Sequence, residues 1–220
     1  MSQHLSLAVF DTDAAAASLD GEDASESRGD FLQKAVVAGG IVISGGILIG
    51  GLPTFAASAP SPEQDAEILN FALTLEYIEA AFYTETARKA RVSPELLEFA
   101  KIVGAHERAH VAFLKKALGN KAVKKPKLDF GDTTTVSKKF AATAAKLEDT
   151  GVAAYNGQAA NLTKPALAAA AKIVSVEARH AAWIRAIMGR NPAPAATDTP
   201  LSKAEATAAL NKTSFIKAAS

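Results

Sequence analysis

The sequence predicts an all-α fold, an antiparallel four-helix bundle with a long connection between its second and third helices. Three observations predict it. Apolar residues recur at helical spacing in four segments, and few stretches alternate with period two. The helix-start signal Ser-Pro-Glu occurs at both 61–63 and 93–95. The connections between the segments run short, long, short. With 220 residues, 49% of them hydrophobic, the chain can bury one sizeable core. We divide it into a leader at 1–59, a bundle at 60–190 and a C-terminal tail at 191–220.

In the leader, residues 35–52 are an uncharged apolar run of 18, followed by Pro53 and the small residues Ala56-Ala57-Ser58-Ala59. This is the order of a signal-peptide apolar region and its cleavage zone. Upstream, Ser27-Arg28-Gly29-Asp30-Phe31-Leu32 is similar to the twin-arginine export motif, with Gly29 in place of the second arginine. Six glycines keep the run weakly hydrophobic, which suits that export class. Eighteen apolar residues also just suffice to cross a bilayer, so membrane contact through 35–52 as an uncleaved anchor is the alternative. Either reading puts the domain outside the cytoplasm, in the periplasm or another extracytoplasmic space. The absence of cysteine excludes disulfides, thiolate metal sites and thiol nucleophiles.

Helix 1 is predicted from about 62 to 90, with Leu69, Leu73, Glu76, Ala80 and Tyr83 on one stripe. Helix 2 follows Ser93-Pro94-Glu95, carries Leu96, Ala100, Val103, Glu107, His110, Leu114 and Leu118 on one face, and ends at Gly119. The polar connection 119–131 could span roughly 43 Å when extended, more than the roughly 37 Å of a 25-residue helix. It can therefore run the length of the bundle. Its four lysines between Lys121 and Lys127 read as a solvated loop, and no nucleic-acid motif accompanies them. Helix 3 is predicted to open at Asp132-Thr133-Thr134-Thr135, with Phe140, Ala144, Glu148, Val152 and Tyr155 inward. After a turn at 161–165, helix 4 presents Leu167, Ala170, Val174, Glu177, His180, Ile184 and Ile187 and stops at Gly189. A start signal at Pro200–Glu205 suggests a short helix in the tail.

A repeat runs through these helices. Glu76 followed by Glu107-x-x-His110 recurs as Glu148 followed by Glu177-x-x-His180, at offsets of 72, 70 and 70 residues. Tyr83 and Tyr155 each follow their lone glutamate by seven residues. One Glu-x-x-His pair is weak evidence, and a lone helical glutamate is usually solvated. Here six such residues fall on the faces that must be buried. Four buried carboxylates without compensation cost many kcal/mol or take up protons, whereas two divalent cations cancel their charge and neutral imidazoles complete the coordination. Glu76, Glu107, His110, Glu148, Glu177 and His180 are therefore the candidate metal ligands. Glu79, one turn from Glu76, reads as an acid supporting the site, as a ligand on the metal's way in, or as a solvated carboxylate. His106 lies about 100° around the helix from Glu107 and reads as a structural or surface residue. Tyr83, Tyr155 and Trp183 read either as core aromatics or as partners of the ligands.

Taken together, and on the local wording LNFALTLEYIEAAFY, HERAHVAFL and LEDTGVAAYNG, residues 62–188 resemble the ferritin-like superfamily of di-iron and di-manganese carboxylate proteins. They are most similar to the bacterial ferritin-like domains related to plant desiccation-induced proteins, many of them exported. The resemblance implies Glu76 and His110 as terminal ligands of one metal, Glu148 and His180 of the other, and Glu107 and Glu177 as bridges. It implies two metal ions as cofactors, iron first with manganese as the alternative, and a centre that reacts with oxygen or peroxide in oxidative or desiccation stress. A non-enzymatic protein stabilised by its metals and an iron-storage cage stay open as other classes. Monomer and homo-oligomer both fit.

Overall fold

The computed structural model describes residues 59–217, and the predicted leader motifs lie outside them. Ser61 caps α1 (Pro62–Lys89), its Oγ accepting the Gln64 amide at 3.2 Å. Helix α2 (Pro94–Leu118) starts on Pro94 and stops at Gly119, whose φ of 57° a β-carbon would disfavour. A 3₁₀ turn (Gly119–Lys121) leads into the long connection. Helix α3 (Ser137–Gln158), a second 3₁₀ turn (Ala159–Asn161) and α4 (Lys164–Ile187) complete the bundle, and α5 (Lys203–Asn211) lies in the tail. Among the described residues all regular elements are helical, and no helix is long and apolar enough to cross a membrane.

Two expectations are corrected. Helix α3 begins at Ser137, and Asp132–Val136 forms turns in which Thr133 and Thr135 bond back to the Phe130 and Asp132 carbonyls through backbone and side chain alike. Short polar side chains compete in this way with helical hydrogen bonding. Leu167 is 39% exposed, so the buried face of α4 begins at Ala166 and Ala170.

Contacting residues show the helix directions. Rising numbers on one helix meet falling numbers on the other for α1 with α2 (Tyr83 by Gly104, Glu76 by His110), for α1 with α3 (Tyr83 by Glu148, Glu76 by Tyr155) and for α2 with α4 (Glu107 by His180, His110 by Glu177). All three pairs are antiparallel, so α2 and α3 point the same way. The connection between them runs back along α1 in successive contacts: Lys121 and Val123 on Asn70, Val123 on Tyr77, Phe130 on Phe82, Thr134 on Glu85 and Lys89. Ser137 Oγ then accepts the Ser93 amide at the far end.

The tail is part of the fold. Leu201 donates its amide to the Ala153 carbonyl at 2.9 Å, directly over Gly157, where a β-carbon would lie 1.8 Å from the Leu201 oxygen. Helix α5 opens with a Ser202/Glu205 capping box and buries Ala206 and Leu210. Beyond it, Phe215 contacts the Phe82 and Phe130 rings, and Ile216 forms an antiparallel bridge with Leu128.

Two apolar clusters fill the core. One gathers Phe82, Tyr83, Phe99, Phe140 and Phe215, and the other Leu69, Leu73, Leu114, Tyr155 and Ile173. The repeated Glu and His residues lie on the helix stretches between them.

Candidate metal centre

The i, i+3 spacing of Glu107/His110 and Glu177/His180 puts each pair on one helical face, and the antiparallel register of α2 and α4 turns the two faces together. Glu76 from α1 and Glu148 from α3 close the other side. Glu76, Glu107, Glu148 and Glu177 are fully buried, His180 is nearly so and His110 is partly covered.

All six predicted residues converge. His110 Nδ1 lies 3.2 Å from Glu76 Oε2, 3.1 Å from Glu107 Oε2 and 3.0 Å from Glu177 Oε1. His180 Nδ1 lies 3.1 Å from Glu107 Oε1, 3.3 Å from Glu148 Oε2 and 3.9 Å from Glu177 Oε2. These contacts define two overlapping groups able to hold a cation, Glu76/Glu107/His110/Glu177 and Glu107/Glu148/Glu177/His180. Glu107 and Glu177 belong to both. Glu107 Oε1, Glu148 Oε2, both Glu177 oxygens and His180 Nδ1 are buried without a hydrogen bond. Such atoms are costly to bury unpaired, and inward-facing oxygens with an imidazole nitrogen are a donor set for a divalent cation. The residues present fit a dinuclear metal site.

Electrostatics of the protein alone point the same way. Burial, then the charge of Glu177, hold the Glu107 carboxyl well above its ordinary pKa; burial and the charge of Glu76 do the same to Glu177. Burial pushes Glu148 up to about 7 despite the Tyr83 hydrogen bond. Glu76 is buried too, but its contacts with His110, Glu107 and Tyr155 outweigh that and leave it below the usual value. For His110 burial is likewise outweighed, by its close contacts with Glu107, Glu177 and Glu76, and its pKa rises to about 12. The cluster of carboxylates thus favours positive charge at its centre, which in the protein alone His110 supplies.

The tyrosines bind across the repeat. Tyr155 donates to Glu76 Oε1 at 2.6 Å, and Tyr83 donates to Glu148 Oε1 in a short hydrogen bond. Each glutamate is oriented by the tyrosine of the opposite half. Trp183 instead meets Phe99 edge to face at 5.0 Å and lines a cleft of about 340 Å³ between α2 and α4 with His106, His110, Val176, Arg179 and His180.

Glu79 is 3% exposed, which removes the solvated reading. Burial and then the charges of Glu148, Glu177, Glu107 and Glu76 hold it well above the ordinary carboxylate range. A β-carbon on Gly151 would lie 3.5 Å from Glu79 Oε1 and 3.6 Å from Glu177 Oε2. Gly151 is the position 72 residues after Glu79, the offset that relates Glu148 to Glu76. One half of the repeat therefore contributes a carboxyl and the other the space beside it, a pairing that the offset alone could have flagged. His106 is exposed, as expected of a surface residue, and it also brings Nδ1 within 2.9 Å of His180 Nε2. No local pattern signals this contact, because it depends on how α2 and α4 sit against each other.

Comparison with known proteins agrees with this geometry. The family model for the ferritin-like domain matches residues 64–190, from the first turn of α1 to just beyond α4. A search of curated proteins finds no match. The bundle, its long connection and the matched span together make this chain a member of the ferritin-like domain family.

Proposed function

We propose that the protein is a dinuclear metal oxidoreductase that reacts with dioxygen or peroxide, oxidising Fe(II) or removing peroxide, as protection in oxidative or desiccation stress. The observation that carries this reading is the pair of overlapping ligand groups sharing Glu107 and Glu177, built on four fully buried glutamates. Glu76 and His110 would complete one metal's ligands, and Glu148 and His180 the other's. Two ions held by shared carboxylates can divide a two-electron change between them, which is the chemistry the metals would supply. Iron is the first choice and manganese the second, since both accept this oxygen-rich donor set.

The protein's part is positioning and exclusion. Tyr83 and Tyr155 fix the rotamers of Glu148 and Glu76. The apolar clusters on either side exclude bulk water, and the complete burial of the four glutamates favours a reactant as small as oxygen or peroxide. Glu79, whose carboxyl burial and the neighbouring glutamates hold well above the ordinary range, adds a further carboxyl to the site on a residue outside both ligand groups. Export through the 1–59 leader, or anchoring by 35–52, belongs to the same proposal and would bring the centre to extracytoplasmic oxidants.

Metal analysis of the full chain by mass spectrometry, followed by Fe(II) oxidation and peroxide consumption on the same sample, tests the reading. Two ions per chain with turnover is the expected result. Two ions without turnover would make the metals structural, and none after reconstitution would overturn the proposal.

A further inference from the structure

The two halves of the repeat differ behind their histidines. His106 on α2 corresponds, at the 70-residue offset, to Val176 on α4. His180 points Nδ1 at the carboxylates of the centre and Nε2 at His106 Nδ1, 2.9 Å away. The ring planes are inclined by only 15° with centroids 5.1 Å apart. Stacked rings keep their atoms roughly 3.5 Å apart or more, so a nitrogen pair at 2.9 Å means that the rings meet edge to edge in nearly one plane. That is the geometry of an imidazole N–H···N hydrogen bond. On the other half, Val176 lines the same cleft beside His110 and has no polar atom to offer its ring.

This contact settles the tautomers of a metal-holding His180. With the Nδ1 lone pair turned to the carboxylate side, the proton sits on Nε2 and is donated to His106 Nδ1; His106 then carries its own proton on Nε2. A ligand histidine whose far nitrogen is held in this way keeps its ring orientation and gains basicity, and losing such a partner typically weakens metal binding by about 10- to 100-fold.

We propose that His106 is a positioning residue for His180 and that it sets the affinity of the metal held by Glu107, Glu148, Glu177 and His180, while leaving the His110 site unaffected. The inference rests on the dinuclear reading above and assigns a role to His106, which lies outside both ligand groups.

Titration of the metal-stripped full chain with Co(II), followed by its visible absorption, tests it, with circular dichroism to verify the fold. Wild type should bind two equivalents. In His106→Leu one equivalent should keep its wild-type affinity and the other weaken by about 10- to 100-fold. His106→Gln, whose Oε1 can accept the same proton, should recover most of that loss. Two wild-type affinities in His106→Leu would overturn the proposal, as would equal weakening in the Leu and Gln variants, which would make the effect one of packing. Failure of wild type itself to bind cobalt would overturn the dinuclear reading, a result distinct from either.

Discussion

Tyr155 donates to Glu76 Oε1 inside a site where several oxygens have no hydrogen bond, so its hydroxyl is not interchangeable with a hydrogen atom. Tyr155→Phe should destabilise the metal-free chain by about 1.5–3 kcal/mol, the usual worth of a buried hydrogen bond to a charged group. Urea denaturation measures this, and a wild-type midpoint would show that the bond contributes nothing net. At this scale the sequence was legible wherever a residue repeats. Glu76, Tyr83 and their partners at 148 and 155 could be read from spacing, because equal depth along two similar helices forces equal environment. His106 could not, since its relevance comes from a neighbour on another helix and its repeat partner is a valine.

Among the elements, the segment that crosses α3 is the most exacting. The Leu201 carbonyl sits where a side chain on Gly157 would go, and its amide bonds to Ala153. Alanine in a helix interior normally gains roughly 1 kcal/mol over glycine, but overlap with rigid backbone at 1.8 Å outweighs that gain. Gly157→Ala should therefore lift 199–201 off the bundle and cost about 1–3 kcal/mol, as overpacking generally does. Limited proteolysis should then cut between 190 and 202 faster than in wild type, and an unchanged cleavage rate would contradict the assignment. The starts of α1 and α2 and the stops of α2 and α4 were legible because Ser-Pro and glycine signals act locally, whereas α1 stops at the left-handed Ala90 and α4 starts at Lys164, inside the turn expected at 161–165. The start of α3 was not, because threonines that cap a helix also form turns, and Phe130, buried against Phe82, decides between the two. The strap over α3 had no local signal except the α5 start.

For the molecule as a whole, the charge balance of the centre makes stability depend on pH in a way that metal should abolish. Glu148 is raised from 4.5 to about 7, and burial holds Glu79, Glu107 and Glu177 well above 4.5. A carboxyl with a raised folded-state pKa stabilises the fold while protonated and loses that contribution as pH climbs through the folded value. His110, raised from 6.5 to about 12, loses its contribution across that interval. His180, lowered chiefly by burial, acts oppositely but only below about 6.5. Above about pH 6.5 the loss from Glu148, which ends near 7, and that from His110, which continues toward 12, both run downhill, so the denaturation midpoint of the metal-free chain should fall as pH rises. The metal-loaded chain should not follow, because cations then replace the protons; parallel profiles would refute the electrostatic account. Fold class was legible at this scale because loop lengths and helix periodicity constrain a bundle so tightly. The tail's place in it was not, since Phe215 meets Phe82 and Phe130 only after the chain has doubled back. That contact also sets an order of events during synthesis. All six site residues have been translated by position 180, yet the phenylalanine that closes one end of the core and the bridge that pins the long connection come at 215 and 216. Growing from its N-terminus, the nascent chain holds all six site residues before the segment that completes the core has been made, so closure around the centre waits on the tail.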